Sequence, residues 1–326
     1  MNSLKSGFLN KRQKTCTANI AIAVLVSVFF IVSIPITILP AQEQQIDKQK
    51  LRIPGEEIIQ IITLKNGSKL MGRIREIKGN DIVFATDMGE LTIKIETISD
   101  IKEAPLSSLR GGEYWFPNPN ATRLFFAPTG KMLKKGEGYF SDYFIFFPGV
   151  VYGLSDNVSI GGGMSLIPGL GLNEQIFYFT PKIGIKAEEK LNIAAGALII
   201  KIPDSDDDDS DDDDSDEEDN PTVGIAYGVG SFGTADALFT VGLGYGFVDS
   251  DFADKPMVML GGEKRLTKRI AFVSENWIFP GVDDPLISYG LRFMGEKLTV
   301  DFALFKLLGM EDAPLGFPYL DFVVRF

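Results

Sequence analysis

The sequence predicts an all-β fold, a transmembrane antiparallel β-barrel of about twelve strands preceded by a small β-domain. Two observations lead to this prediction. From Thr122 onward the chain is a succession of segments rich in glycine, aromatic and β-branched residues, without helical periodicity. Short and longer connections alternate between these segments, as expected when tight turns lie at one end of a barrel and longer loops at the other.

The barrel strands can be assigned in order from residue 122. The candidates are Thr122 to Pro128, Gly138 to Leu154, Val158 to Leu166, Gln175 to Ala187, Leu191 to Ile202, Thr222 to Gly233, Ala237 to Val248, Pro256 to Arg265, Arg269 to Phe279, Leu286 to Gly295, Leu298 to Leu308 and Pro318 to Phe326. Tight connections follow the second, fourth, sixth, eighth and tenth of these strands. The other connections, such as Pro203 to Pro221, are longer on average, and we expect them outside the cell.

Two neighbouring strands alternate large and small residues. In the first, Val223, Ile225, Tyr227 and Val229 alternate with Gly224, Ala226 and Gly228; in the second, Phe239, Val241, Leu243, Tyr245 and Phe247 alternate with Thr240, Gly242, Gly244 and Gly246. We expect the large residues of both strands to face lipid and the small ones to face the lumen. The strand Arg269 to Phe279 keeps no clean phase, because Ser274 and Asn276 share a face with Phe272.

The last strand has one apolar face and one more polar face. Leu320, Phe322, Val324 and Phe326 lie on the first, and Tyr319, Asp321 and Arg325 on the second. A terminal strand of this kind resembles the C-terminal assembly signal of Gram-negative outer-membrane β-barrel proteins. The resemblance implies contact with outer-membrane lipid and with the barrel-assembly machinery. An edge strand of a soluble sandwich would show the same alternation.

The N-terminus is typical of an exported protein. Basic residues precede an apolar run from Ile20 to Leu39, and a polar stretch follows Ala41, so residues 1–41 are interpreted as a signal peptide and 42–56 as a linker. The run is long, and an uncleaved inner-membrane anchor is the alternative. The single cysteine, Cys16, precedes the run and lacks a lipoprotein context, so we expect no thiol, disulfide or lipid anchor in the mature chain.

Residues 57–103 form the predicted small domain, and 104–121 a second linker. Five short strands are separated by turn signals, including Asn66-Gly67. The pattern from Leu64 to Ile74 resembles a small β-barrel of the Sm-like or SH3-like type. Sm relatives often bind RNA, but an exported domain meets none. We therefore interpret it as a periplasmic docking module, with a periplasmic protein as its partner and without chemistry of its own.

The net charge of -12 is concentrated in one segment. Residues 204–219 contain thirteen carboxylates, so the rest of the chain is close to neutral. We expect this run to be a solvated external loop with at most weak, many-site binding of divalent cations, because it lacks the spaced ligands of an EF-hand. Basic clusters with interleaved aromatic residues are missing from the sequence, so nucleic acid is not an expected partner.

Catalysis is not expected from this composition. The chain has no histidine, which excludes Ser-His-Asp hydrolysis and histidine metal sites. The GxGxxG match at Gly228 to Gly233 lies inside a glycine-rich strand and is followed by another strand, whereas a dinucleotide site needs a helix there. A carboxylate-only enzyme stays formally open. We predict no enzyme activity and no catalytic, cofactor or metal residues.

Charged residues are nevertheless expected on the lumen side of the strands. They are Lys182, Lys186, Arg292, Arg325, Asp301 and Asp321. An isolated ion is costly away from water, so these groups should either pair in a structural network or line a wet, selectivity-setting constriction.

A second resemblance covers about Gly112 to Phe326. The segments Trp115 to Arg123 and Lys134 to Tyr139 resemble the start of barrels in a little-characterised class of outer-membrane proteins. Membership implies a fold and a location in the cell outer membrane, but no substrate. Two functions stay open: an outer-membrane barrel with a structural or narrow-channel role, or a soluble exported two-domain all-β binding protein.

Overall fold

The structure is a computed structural model that describes residues 50–203, 221–310 and 314–326. The predicted signal peptide and the acidic run 204–219 lie outside the described residues. The chain divides into two compact units, Met1–Leu109 and Arg110–Phe326. Within the described ranges, no helix has the length and apolar character that crossing a membrane requires.

The first unit contains a five-stranded antiparallel sheet. Its strands are β1 (Ile58–Leu64), β2 (Lys69–Lys78), β3 (Asp81–Thr86), β4 (Gly89–Lys94) and β5 (Ile98–Pro105), in the order β4-β3-β2-β1-β5. Glycines with left-handed φ make the tight turns, for example Gly67 at 85° and Gly79 at 59°. The five predicted strands are therefore confirmed. The Sm-like or SH3-like assignment stays a prediction, since β4 and β5 are the unpaired edges of the described sheet.

The sheet encloses an aliphatic core and one buried polar group. Ile62, Ile74, Ile82, Phe84, Ile93, Ile98 and Ile101 form the core. Gln60 is fully buried; its amide accepts from the Ile74 N–H at 3.0 Å and donates to the Arg52 carbonyl at 3.0 Å. The Arg52 guanidinium binds Glu103 at 2.6 Å, and this hydrogen bond lowers the pKa of the Glu103 carboxyl. Strand β1 is thus fastened to the chain that precedes it.

The second unit begins with two short paired strands, β6 (Leu109–Arg110) and β7 (Glu113–Tyr114), and continues into a barrel. The following strands are β8 (Gly138–Tyr143), β9 (Phe147–Ser155), β10 (Val158–Met164), β11 (Phe177–Phe179), β12 (Lys182–Lys186), β13 (Leu191–Lys201), β14 (Thr222–Gly233), β15 (Ala237–Val248), β16 (Asp251–Phe252), β17 (Met257–Arg265), β18 (Ile270–Ile278), β19 (Leu286–Met294), β20 (Leu298–Leu307) and β21 (Phe317–Arg325). β11 and β12 occupy one position between β10 and β13, interrupted at Pro181, and β16 only extends β15.

The wall closes because β21 pairs with both β20 and β8. Arg325 lies opposite Tyr139, and the Phe326 N–H donates to the Gly138 carbonyl at 3.0 Å. Twelve strand positions therefore form one antiparallel barrel, which confirms the predicted fold class. We call the end with the tight connections, such as Asp156–Asn157, the turn end, and the opposite end the loop end.

Two of the predicted strands are wrong, although the count of twelve is right. Residues 122–128 are not part of the wall; they contain a bridge between Arg123 and Pro128. The predicted long strand from residue 138 to 154 is instead two strands, β8 and β9, joined by residues 144–146. Phe144 and Ile145 turn the chain there with φ of 53° and 71°, a conformation that costs energy in residues other than glycine.

The predicted orientation is right for β15 and wrong for β14. Phe239 and Leu243 are more than half exposed on the outer face of β15. In β14 the large residues face inward: Val229 is 4% exposed, whereas Gly228 is exposed. The reason is cross-strand complementarity. Tyr227 and Val229 lie opposite inward glycines of β15, and Val241, Leu243 and Phe247 of β15 lie opposite outward glycines of β14.

The irregular strand Arg269 to Phe279 has a regular orientation in the barrel. Its outward polar residues bond to neighbouring strands, because Ser274 donates to the Ser288 carbonyl at 2.9 Å and Asn276 to the Leu260 carbonyl at 3.2 Å. The Asn276 side chain also accepts from the Ser288 N–H at 3.3 Å. The polar groups are satisfied within the wall, so the outer face needs no charge or water at this point.

The inverted orientation of β14 makes a prediction for two glycines. Replacing Gly196 of β13 by alanine should destabilise the barrel by about 1–3 kcal/mol, because the new methyl group would lie 2.5 Å from the Pro181 carbonyl oxygen and 2.6 Å from the Tyr227 hydroxyl. Gly228→Ala should be neutral, because nothing lies within 4 Å of its methyl position. The temperature at which the folded band disappears on SDS gels measures both variants. An equal fall of this temperature in both variants would contradict the orientation of β14.

Candidate functional site: the occupied lumen

The lumen is filled by a segment of the chain itself. Residues 115–137 enter at the turn end, fold back at Leu124 to Ala127, and return to β8; we call this segment the luminal hairpin. At the turn end, the Trp115 ring lies 5.0 Å from the Arg265 guanidinium, and Phe116 packs on Ala271 and Met294. Leu124 and Phe125 are fully buried among Val273, Met259 and Tyr319. The lumen of the barrel is therefore not an open channel.

Glu275 of β18 holds the tip of the hairpin. One of its carboxylate oxygens accepts the backbone N–H groups of Phe125, Phe126 and Ala127 at 2.9, 3.0 and 2.9 Å. The other oxygen accepts from the Trp277 indole at 2.8 Å. Glu275 has no exposed surface, so these four donors replace the water that a carboxylate would otherwise bind.

Arg292 of β19 fastens the outgoing arm of the hairpin to the wall. Its guanidinium binds Asp301 on β20 at 2.7 Å and Glu263 on β17 at 2.6 Å. It also donates to the carbonyls of Asn120 at 2.8 Å and Leu124 at 2.6 Å. Arg292 is fully buried. The guanidinium group is planar and has five N–H donors, so it can hydrogen-bond to the wall and to the hairpin at the same time. A lysine side chain could not.

A second ion pair runs from the hairpin to the closing strand. Arg123 binds Asp321 of β21 at 2.6 Å, and both side chains are almost completely buried. The Tyr319 hydroxyl lies 2.7 Å from the same carboxylate and 3.2 Å from the Phe125 carbonyl. The hairpin therefore bonds to the strand whose pairing with β8 closes the wall.

Both arms of the hairpin also bond to the other side of the barrel. Lys182 of β12 donates to the carbonyls of Thr122 at 3.2 Å and Lys131 at 2.7 Å. The Gly130 N–H donates to Ser231 of β14 at 2.7 Å, and Ser231 is 2.7 Å from Thr240 of β15. Hydrogen bonds thus reach the hairpin from both halves of the wall.

The six charged residues expected in the lumen separate into two groups. Lys182, Arg292, Asp301 and Asp321 all lie inside the barrel, where the last three are buried. Arg325 pairs with Glu137 near the turn end, and Lys186 is exposed at the end of its strand. Their functional role stays a prediction.

Sequence reasoning missed several residues that bond to the hairpin. Glu275 lies in the strand whose phase was unclear, and Arg123 in a segment predicted as wall. Glu263 was also missed; the Asn118 side-chain amide donates to it at 2.7 Å. A signal did exist: Glu263, Glu275 and Arg265 occupy inward positions of two strands whose other inward residues are apolar or small.

Aromatic rings cover the tip of the hairpin at the loop end. Phe126 stacks on Tyr143 with ring centroids 5.3 Å apart and lies 4.9 Å from Tyr319. Phe144, in the strained β8–β9 turn, meets Tyr319 edge to face at 5.0 Å. Phe126 remains 42% exposed. The tip therefore faces solvent at the loop end through an aromatic surface.

Some buried polar atoms around the hairpin have no protein partner. Among the described residues these are both amide atoms of Asn120, the hydroxyls of Thr122 and Thr299, two guanidinium nitrogens of Arg123 and one Asp321 oxygen. They belong to the hairpin and to strands β20 and β21.

Comparisons with known proteins return similar structures but no relatives in sequence. No protein-family model and no curated protein matches the chain. Similar structures include a KdgM porin in complex with disordered oligogalacturonate, at 8% identity and a TM-score of 0.38, covering 58% of this chain and 95% of that one. Pseudomonas aeruginosa OprD shares 8% identity with a TM-score of 0.30, covering 85% of this chain and 97% of that one. Likeness this low carries no argument, and the proposals below rest on the structure of the chain itself.

The Glu275 contacts predict how the hairpin can be loosened. Glu275→Ala should leave three backbone N–H groups without their acceptor and destabilise the folded barrel by at least about 2 kcal/mol. Chymotrypsin should then cut the folded protein near Phe126. Glu188→Ala, in an exposed turn, is the control and should change neither measurement. A hairpin that stays protected in Glu275→Ala would show that this carboxylate does not hold it.

Proposed function

We propose that this protein is an outer-membrane β-barrel whose lumen is closed by its own luminal hairpin, with a structural or narrow-channel role. The observation that carries the proposal is the contrast between the two faces of the closed wall. Outside, large apolar side chains are exposed on strand after strand; examples are Ile183, Phe239, Leu243, Phe302 and Phe272. Inside, the wall supplies buried carboxylates and guanidinium groups. This arrangement suits lipid on the outside and a polar lumen.

The alternative is a soluble exported binding protein with two all-β domains. A soluble barrel would have to expose the same apolar outer face to water. Monomeric soluble proteins rarely expose contiguous apolar patches of more than a few hundred Å². The apolar outer residues of β15, β18 and β20 therefore favour the membrane. Contact with the barrel-assembly machinery, through Leu320, Phe322, Val324 and Phe326, belongs to the same proposal.

We assign the turn end to the periplasm. Short periplasmic turns and longer external loops are the rule in such barrels. The luminal hairpin begins at this end, so we propose that the first unit, which precedes it in the chain, is also periplasmic. We propose that its five-stranded sheet docks a periplasmic protein.

Membrane location and sidedness can be tested together. Single cysteines replace Leu172, in the β10–β11 loop and 74% exposed, or Met88, in the first unit and 96% exposed, in a Cys16→Ser background. A membrane-impermeant maleimide should label the Leu172→Cys protein in intact cells and the Met88→Cys protein only after permeabilisation. The protein should stay in the outer-membrane fraction. Release by osmotic shock would support the soluble alternative, and reversed labelling would invert the topology.

The occupied lumen predicts the conductance. The unmodified protein should show low or intermittent conductance in planar bilayers, because the hairpin fills the space that twelve strands enclose. Arg292→Ala should raise it clearly, because it removes the hydrogen bonds from the wall to the carbonyls of Asn120 and Leu124. Asp301→Ala should do the same, because it removes the buried carboxylate that holds the Arg292 guanidinium in place. Lys186→Ala, at an exposed position, should not.

Each variant is first checked for a folded, heat-modifiable band. A large, steady conductance of the unmodified protein would contradict the closed lumen. If no folded variant conducts, the result would instead favour a structural or docking role for the protein.

A further inference from the structure

A cavity of about 540 Å³ lies at the loop end, beside β13, β14 and β15. Its lining is Leu198, Ile200, Val223, Gly224, Ile225, Gly246, Phe247, Val248, Asp251, Phe252, Ala253 and Met257. The volume is within the range of about 300–1,000 Å³ that is typical of small-molecule sites. Asp251 is the one charged residue in this lining, and it is exposed.

The strand register places most of this lining on the lumen side of the wall. Leu198 lies opposite Ile225, and Ile225 opposite Gly246, which shares the inward face of β15 with the buried Thr240. An alanine methyl group at Gly246 would have no neighbour closer than 3.9 Å, so this glycine leaves open space. The cavity is therefore part of the lumen, not a groove facing lipid.

An apolar lining is unusual in this position. Barrel lumens are usually polar, and the part of this lumen around Arg292 is. The aliphatic side chains of β13 and β14 are only partly buried, and they offer no hydrogen bonds to water. A ligand with an apolar body would gain free energy by covering them.

We propose that this cavity binds an amphiphile with an aliphatic tail and a cationic headgroup. The tail would lie against the residues contributed by β13, β14 and Met257. The headgroup would lie at Asp251, which forms no ion pair with any described residue. An anionic headgroup would be repelled there. The inference uses the membrane orientation proposed above, but it does not require the lumen to conduct.

Binding can be measured on the full-length protein held in amphipol, with dodecyltrimethylammonium below its micelle concentration as the probe in equilibrium dialysis. We expect saturable binding to the unmodified protein. Gly246→Leu should weaken it by at least about tenfold, because the new side chain occupies the cavity. The matched control is Gly228→Leu, on the outer face with nothing within 4 Å of its methyl position, and it should bind as the unmodified protein does.

The headgroup is tested separately. Asp251→Asn should weaken binding of the cation by about two- to fivefold, the size expected for an exposed ion pair, and leave binding of neutral dodecanol unchanged. Equal or tighter binding of dodecyl sulfate would overturn the cationic headgroup. Unchanged binding in Gly246→Leu, or no saturable binding at all, would overturn the site. A folded, membrane-located protein with any of these results would leave the proposed barrel function intact.

Discussion

The structure depends on the pairing of the last strand with the first. An open sheet would leave a row of unpaired N–H and carbonyl groups at each edge, and lipid offers such groups no partner. The bonds between β21 and β8, extended by Phe326 to Gly138, remove both edges. Once the wall is closed, every strand has an inside and an outside, and the chemistry of the lumen can differ from that of the outer face.

The closed wall then creates a second requirement. The wall directs four charged side chains into the lumen: Arg292, Asp301, Glu275 and Asp321. Burying these charges without water or a hydrogen-bonding partner would cost free energy. The luminal hairpin supplies partners of both kinds, because its backbone offers N–H groups to Glu275 and carbonyls to Arg292, and its Arg123 neutralises Asp321. Removing any one partner leaves a buried charge, so hairpin and wall stabilise each other.

Shape complementarity completes the interior. On the inner face, Tyr227 and Val229 of β14 lie opposite glycines of β15. On the outer face, glycines of β14 lie opposite large residues of β15. A stretch of alternating large and small residues therefore does not define its own inside; the neighbouring strand decides. At the loop end Gly246 of β15 is not fully covered, which leaves the apolar cavity beside β13 and β14. Space and charge are thus distributed unequally around the lumen.

The sequence by itself determined the all-β class, the count of twelve strands, the tight turns and the residue faces of β15 and β21, because turn chemistry and a two-residue period are local properties. It also placed Arg292, Asp301 and Asp321 on inward positions. Only the tertiary structure decided that residues 122–128 leave the wall, that β14 is inverted, and that Glu275 holds the hairpin tip. The orientation of β14 depends on the residues of β15 that lie opposite. The position of the hairpin depends on partners more than a hundred residues away, as for Glu275 and Phe125. A local pattern carries no information about either kind of contact.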